Sequence, residues 1–303
     1  MMNLELNLER FVLLVALPGV LGAALLEAWL LSRRERYDWK AFGVSMVNLV
    51  ARHAVSVLLP LSVAGPVLRW AWEHRLGTVA VDSWWAVLLL FIGQEFCYYW
   101  YHRASHRVRW FWANHSVHHS PNQLNFSAAL RTGVFGKLTG SALFFVPLVW
   151  IGFPVRVVLS MLVLNLLYQF WVHATWIPKL GWLEYVLNTP SAHRVHHAAN
   201  LAYLDANYGG VLIVFDRLFG TYVPERDDLP CRYGLLHPQT SYNPLRVEFD
   251  AWIQLARDVC GAHSLRTAAA YLVMPPGWQP DGHSETTEAL RQRAAALPRQ
   301  APQ

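Results

Sequence analysis

Nine of the fourteen histidines in this chain fall into three short arrays and one outlier. The arrays are His102-x-x-x-His106, His115-x-x-His118-His119 and His193-x-x-His196-His197; the outlier is His173. On a helix, residues at i, i+3 and i+4 share a face, so each array turns two or three imidazoles the same way. Chance does not supply this pattern. With 14 histidines in 303 residues, one preset H-x-x-H-H arises roughly 0.03 times per chain, and two are present. Neutral imidazole is the commonest side-chain ligand for transition metals, so the fold must gather distant segments around metal.

Nine imidazoles exceed the needs of one ion. Zinc takes four ligands and octahedral iron six, so the set suits two adjacent ions with coordination left for oxygen or water. Other scaffolds are excluded by inspection. The chain has no H-E-x-x-H of the zincins and no Glu-x-x-His of the carboxylate-bridged di-iron bundles. Cys97, Cys231 and Cys260 lie far apart, which leaves no cysteine zinc site or iron–sulfur cluster. Imidazole ligation suits Zn, Cu, Fe and Ni, with two irons favoured among them.

The apolar content sets the scaffold. Hydrophobic residues make up 54% of the chain and charged residues 15%, with 15 tryptophans, beyond an ordinary soluble domain. Runs long enough to cross a bilayer are residues 11–31 (interrupted by Glu27), 41–68, 83–101 and 157–176. Residues 138–153 carry no charge and read as a short span or a dip into the membrane. Trp84, Trp85, Trp150, Trp171 and Trp176 stand near run ends, as interfacial aromatics do. The first run exceeds a signal-peptide core, and its flank (Glu5, Glu9, Arg10) lacks a positive leader, so it reads as a retained helix. The expected fold is therefore all-α: a polytopic membrane bundle of about four to five spans under a histidine-rich helical cap holding a dimetal site. Arg33, Arg34, Arg36 and Lys40 place the loop after the first run in the cytoplasm, against the contrary Arg69 and Arg75, and tracing onward puts every arrayed histidine on that side. The net charge of +5 reflects these juxtamembrane arginines, and no basic stripe points to nucleic acid.

Around the arrays, Glu95 lies about 10 Å below His102 at 1.5 Å per residue. An intramembrane carboxylate is costly and usually functional. Two readings are balanced: an acceptor for a ligand's free N–H, or an ion pair with Arg52. Asn165, Gln169 and His173 step by four into one polar stripe. An interhelical hydrogen-bond seam is the ordinary role for Asn165 and Gln169, with support of the ligands as the functional one; His173 is expected to ligate. His53, His74, His237, His263 and His283 read as surface or structural. Thr189 or Ser191 is placed to cap a helix leading into His193.

The series of arrays between apolar runs resembles the fatty acid hydroxylase / sterol desaturase superfamily, nearest its ether-lipid-cleaving members. The resemblance runs from about Trp84 to Glu248. It is carried by residues 98–106 (YYWYHRASH), 115–121 (HSVHHSP), 125–132 (NFSAALRT), 165–173 (NLLYQFWVH), 187–197 (LNTPSAHRVHH) and 205–222 (DANYGGVLIVFDRLFGTY). It implies two non-haem irons bound by these histidines, O2 as oxidant and a membrane-borne lipid substrate. Its ether-cleaving members imply tetrahydrobiopterin as reductant; other members imply another electron donor and acyl or sterol lipids. A zinc-dependent membrane hydrolase is the competing class. The organisation expected is membrane spans over 1–80, a hydroxylase-like catalytic domain over 81–250, an interfacial helix over 251–275, and a polar, poorly ordered tail over 276–303 that contains a short helix-like stretch, 285–297.

Overall fold

Proline and glycine cut the apolar runs into helices of very different length. The computed structural model describes residues 11–34, 37–59 and 61–296. The Glu5, Glu9 and Arg10 flank, Arg36 and residues 297–303 lie outside the described part. A π-helical turn (Val12–Ala16) leads into α1 (Leu17–Ser32). Asp38 caps α2 (Trp39–Leu58) through Ala41 N at 2.9 Å. Leu59, which precedes Pro60, leaves the helix as pre-proline sterics require. The expected run 41–68 is therefore broken, and its remainder starts α3 (Ala64–Glu73).

Ser83 caps α4 (Trp84–Arg107), which carries the third apolar run straight on through His102 and His106. A single extended residue, Val108, separates it from α5 (Arg109–His119). A one-turn helix α6 (Phe126–Ala129) follows. A 3-10 turn (Ser141–Phe145) runs into α7 (Val146–Ile151), which stops at Gly152, where φ is 131°. At roughly 16 Å together these two pieces cannot cross a ~30 Å core, so the 138–153 run is not a span. They pack with α3, α4 and α8 (Val155–Trp171) around Leu68, Leu90, Tyr98, Phe145, Leu148 and Phe153.

The rest is α9 (Pro190–His196), α10 (Val214–Leu218), α11 (Pro244–Cys260), α12 (Leu265–Val273) and α13 (Thr287–Ala296). No strand occurs among the described residues. The interfacial helix expected over 251–275 is two helices, α11 and α12. They cover the histidine-bearing α5, with Leu255 and Tyr271 packed on Ala113. The helix-like stretch expected over 285–297 is α13, and an Arg107–Glu288 ion pair at 2.6 Å ties it back to α4.

Of the expected four to five spans, two helices among the described residues are both long and apolar enough to cross a membrane unaided: Leu14–Ser32 and Trp39–Leu58. The apolar surface extends further. Leu25 and Trp29 on α1, Val50 and Val57 on α2, Leu89 and Ile92 on α4, and Leu164 on α8 are all exposed. Exposed apolar surface shared by four helices suits lipid far better than water.

Candidate metal centre

Local structure explains how the arrays meet. His102 and His106 are one turn apart at the C-terminal end of α4, and the corner at Val108 folds α5 back so that His115, His118 and His119 face them. Thr189 caps α9 and aims His193, His196 and His197 at the same point. His173 lies just beyond α8. The nine imidazoles separate into two groups, within each of which one ring nitrogen per residue lies within 4.8 Å of all the others. One holds His102, His106, His115, His119 and His196. The other holds His118, His173, His193 and His197.

Backbone carbonyls set the tautomers. His102 Nδ1 faces Tyr208 O at 2.9 Å, His118 Nδ1 faces Arg131 O at 3.0 Å, His173 Nδ1 faces Gln169 O at 2.8 Å and His196 Nδ1 faces Ala206 O at 3.0 Å. A carbonyl only accepts, so each Nδ1 carries the proton and each Nε2 presents a lone pair inward. Facing Nε2 atoms stand 3.1 Å apart for His102–His115, 3.4 Å for His173–His118, 3.2 Å for His193–His173 and 3.1 Å for His197–His193. The Nε2 atoms of His106, His119 and His196 are buried without a hydrogen-bond partner. Opposed lone pairs repel unless a cation lies between them. Two nitrogens each ~2.1 Å from one ion lie about 3.0–3.4 Å apart at octahedral to tetrahedral angles. The donor set therefore fits metal. Burial also keeps the rings neutral, as ligands must be: it lowers His118 to about 4 and His196 to about 3, and neighbouring histidines add to the effect at His106 and His119.

Two of these carbonyls, those of Ala206 and Tyr208, belong to a loop outside any helix. In residues 205–212, Asp205 and Asn207 have positive φ (56° and 58°). Asn207 bridges Ala192 O and Val223 O. Asp216 accepts from Tyr208 N and Gly209 N at 2.7 Å each and from Thr221 Oγ1. Burial pushes its carboxyl up to about 6 against those three bonds. Gly210 is required by space: a Cβ there would sit 2.3 Å from Asn165 Nδ2. The sequence reading missed Asp216; its signal was an Asp-Arg pair inside the otherwise apolar stretch 211–219.

Both readings of Glu95 are corrected. Its carboxylate takes Asn165 Nδ2 at 2.5 Å, Val211 N at 2.7 Å and Leu212 N at 2.8 Å, not a ligand imidazole and not Arg52. It thus anchors the loop whose Tyr208 carbonyl orients His102. Asn165 and Gln169 form the hydrogen-bond seam: Gln169 bonds Asn165 Oδ1 and Tyr98 Oη, while only its backbone meets His173. His53, His74, His237, His263 and His283 stay outside both histidine groups, with His74 stacked on Trp70 and His237 on Glu285 Oε2. The three cysteines are free.

Two cavities reach the histidines. A cavity of about 490 Å³ runs from His102, His115, His118 and His173 along α1, α2, α4 and α8. A second, of about 270 Å³, meets His106, His119, His196 and His197 beside Asp205 and Glu285.

An all-helical scaffold with lipid-facing helices and two adjoining all-imidazole groups defines a histidine-box metalloprotein. Residues 87–221 match the sequence model of the family described as fatty acid hydroxylase. It is similar to "Alkylglycerol monooxygenase" of Homo sapiens, 40% identical over 69% of this chain and 46% of the relative. The relative of that name from Danio rerio is 35% identical over 88% of this chain and 59% of its own length. "Ornithine lipid hydroxylase OlsE" of Rhizobium tropici is 31% identical over 46% of this chain and 44% of the relative. The chain spans about half the length of the curated alkylglycerol monooxygenases it matches. No solved structure matches it.

Proposed function

We propose that this protein is an integral-membrane non-haem di-iron oxygenase that oxidises a C–H bond of a lipid, with O-alkyl ether lipids as the first substrates. The observation that carries this reading is the pairing of two inward-facing imidazole groups with an apolar cavity ending on them. His102, His106, His115, His119 and His196 would hold one iron and His118, His173, His193 and His197 the other. Iron bound there supplies reductive O2 activation strong enough to attack an unactivated C–H bond.

The chain's own residues do the remainder. Carbonyls of residues 131, 169, 206 and 208 hold the imidazoles in one tautomer. Helices α1, α2, α4 and α8 exclude water and align the lipid, which enters sideways from the bilayer. Burial of a chain in this cavity contributes about 0.8 kcal/mol per CH2, enough for a long tail to dominate affinity. The second cavity gives the electron donor and protons a separate approach from the cytoplasmic side. Oxidation of an ether carbon balances as R–CH2–O–R′ + O2 + 2e⁻ + 2H⁺ → R–CH(OH)–O–R′ + H2O. The hemiacetal collapses to a fatty aldehyde and an alcohol.

The test is O2-dependent aldehyde release from an alkylglycerol by purified protein, with and without tetrahydropterin. Aldehyde formation supports the reading. A hydroxylated or desaturated acyl lipid formed with another donor, and no aldehyde, moves it to acyl chemistry; turnover without O2 in zinc-loaded protein replaces it with a hydrolase.

A further inference from the structure

The apolar cavity is not neutral. Between Ala41 and Leu58, Arg52 is the single charged residue of α2. With Val55, Ser56 and Leu59 it forms the i, i+3, i+4, i+7 face that α2 turns to the cavity. Its guanidinium is exposed there, close enough to Tyr101 and His118 for both to feel its charge. Among the described residues it has no ion pair and no hydrogen bond, since Glu95 is occupied at the 211–212 loop. Lys137 lines the same cavity and donates to Ser56 O at 3.2 Å, one helical turn beyond Arg52. No Asp or Glu lines the cavity among the described residues. A guanidinium stays charged in any protein, and an arginine at membrane depth is sustained by facing a cavity and pairing with an anion there. Arg52 lies outside the matched residues 87–221 and Lys137 within them.

We infer that Arg52, assisted by Lys137, is a headgroup subsite, and that the preferred occupant is a single-chain lipid bearing an anionic oxygen group. The anion, phosphate or carboxylate, takes the guanidinium through charge-assisted bonds. The chain lies along Val20, Leu162, Val163 and Leu166. A carbon of the chain is then presented to the histidines, because Arg52 and His102, His115 and His118 line the same cavity. This deepens the reading of the cavity as the lipid site and rests on it.

The experiment measures binding separately from oxidation, with full-length protein in phosphatidylcholine nanodiscs. The probes share a hexadecyl-length chain: neutral 1-O-hexadecylglycerol, its 3-phosphate, and hexadecanoate. Wild type is expected to hold at least one anionic probe about 10–100-fold tighter than the neutral one, as for a hydrogen bond to a charged group. Arg52→Gln should erase that preference while sparing the neutral probe, Arg52→Lys should keep part of it, and Lys137→Gln should reduce it less. The tighter anionic probe identifies the headgroup. Equal binding of all three to wild type, or equal weakening of all three in Arg52→Gln with Arg52→Lys still folded, overturns the inference. Aldehyde release from the neutral ether without anion preference defeats the subsite and spares the oxygenase; an Arg52-dependent preference without oxidation of any ether lipid does the reverse.

Discussion

At His118-His119 and again at His196-His197, sequence neighbours serve different groups. Successive helical residues point about 100° apart, so a doubled histidine at the end of a short helix reaches two centres at once. The arrays were legible in the sequence, but this division was not: it depends on how α5 and α9 are rotated. His106→Ala, His118→Ala and His196→Ala are each expected to abolish turnover while the protein still inserts and folds, since membrane helices are held mainly by lipid and packing. Activity assay beside a detergent melting curve checks this, and near-wild-type turnover in any of the three removes that residue from the ligands. Glu95→Gln should weaken metal retention by about 10–100-fold, the usual effect of disturbing a ligand's support. Here the route runs through residues 208–212, so the variant should also loosen that loop in hydrogen exchange at Val211 and Leu212. Unchanged iron content and exchange would show the anchor to be dispensable.

At the scale of elements, the carbonyl-bearing loop and the docking of the C-terminal helix were the least legible. A carbonyl has no sequence signature, so Tyr208, Ala206, Arg131 and Gln169 could not be named as orienting groups from residue types. Helix α13 was visible as a helix-like stretch within a polar tail, but its place is set by Arg107, which also holds Asp205 at 2.7 Å, and by Arg291 on Leu204 O at 2.8 Å. The broken 41–68 run, by contrast, was marked by Pro60. Because α13 borders the second cavity through Thr287 and Leu290, removing residues 287–303 should open the five-histidine group to solvent. Metal loss to a chelator is then expected to speed up several-fold, measured by stopped sampling and metal analysis. An unchanged rate would mean that α13 does not guard this approach.

The whole molecule has an apolar belt, a buried imidazole centre and an aqueous-side cap. Neutral histidines tie its stability to pH. The ordinary histidine value is 6.5, while burial holds His118 near 4 and His196 near 3 in the fold. The unfolded chain thus binds protons that the folded one refuses. Stability of metal-free protein should be fully present above pH 6.5 and fall as pH drops from there toward 4 and 3. Chemical denaturation at stepped pH checks the sign, and stability that rises on acidification would contradict it. The most direct test of the account is metal stoichiometry in protein purified from membranes without oxygen. The prediction is two iron ions per chain, reduced to one or none when His118 or His119 is replaced by Ala. One metal per chain, or zinc in place of iron in protein that still turns over lipid, would contradict it.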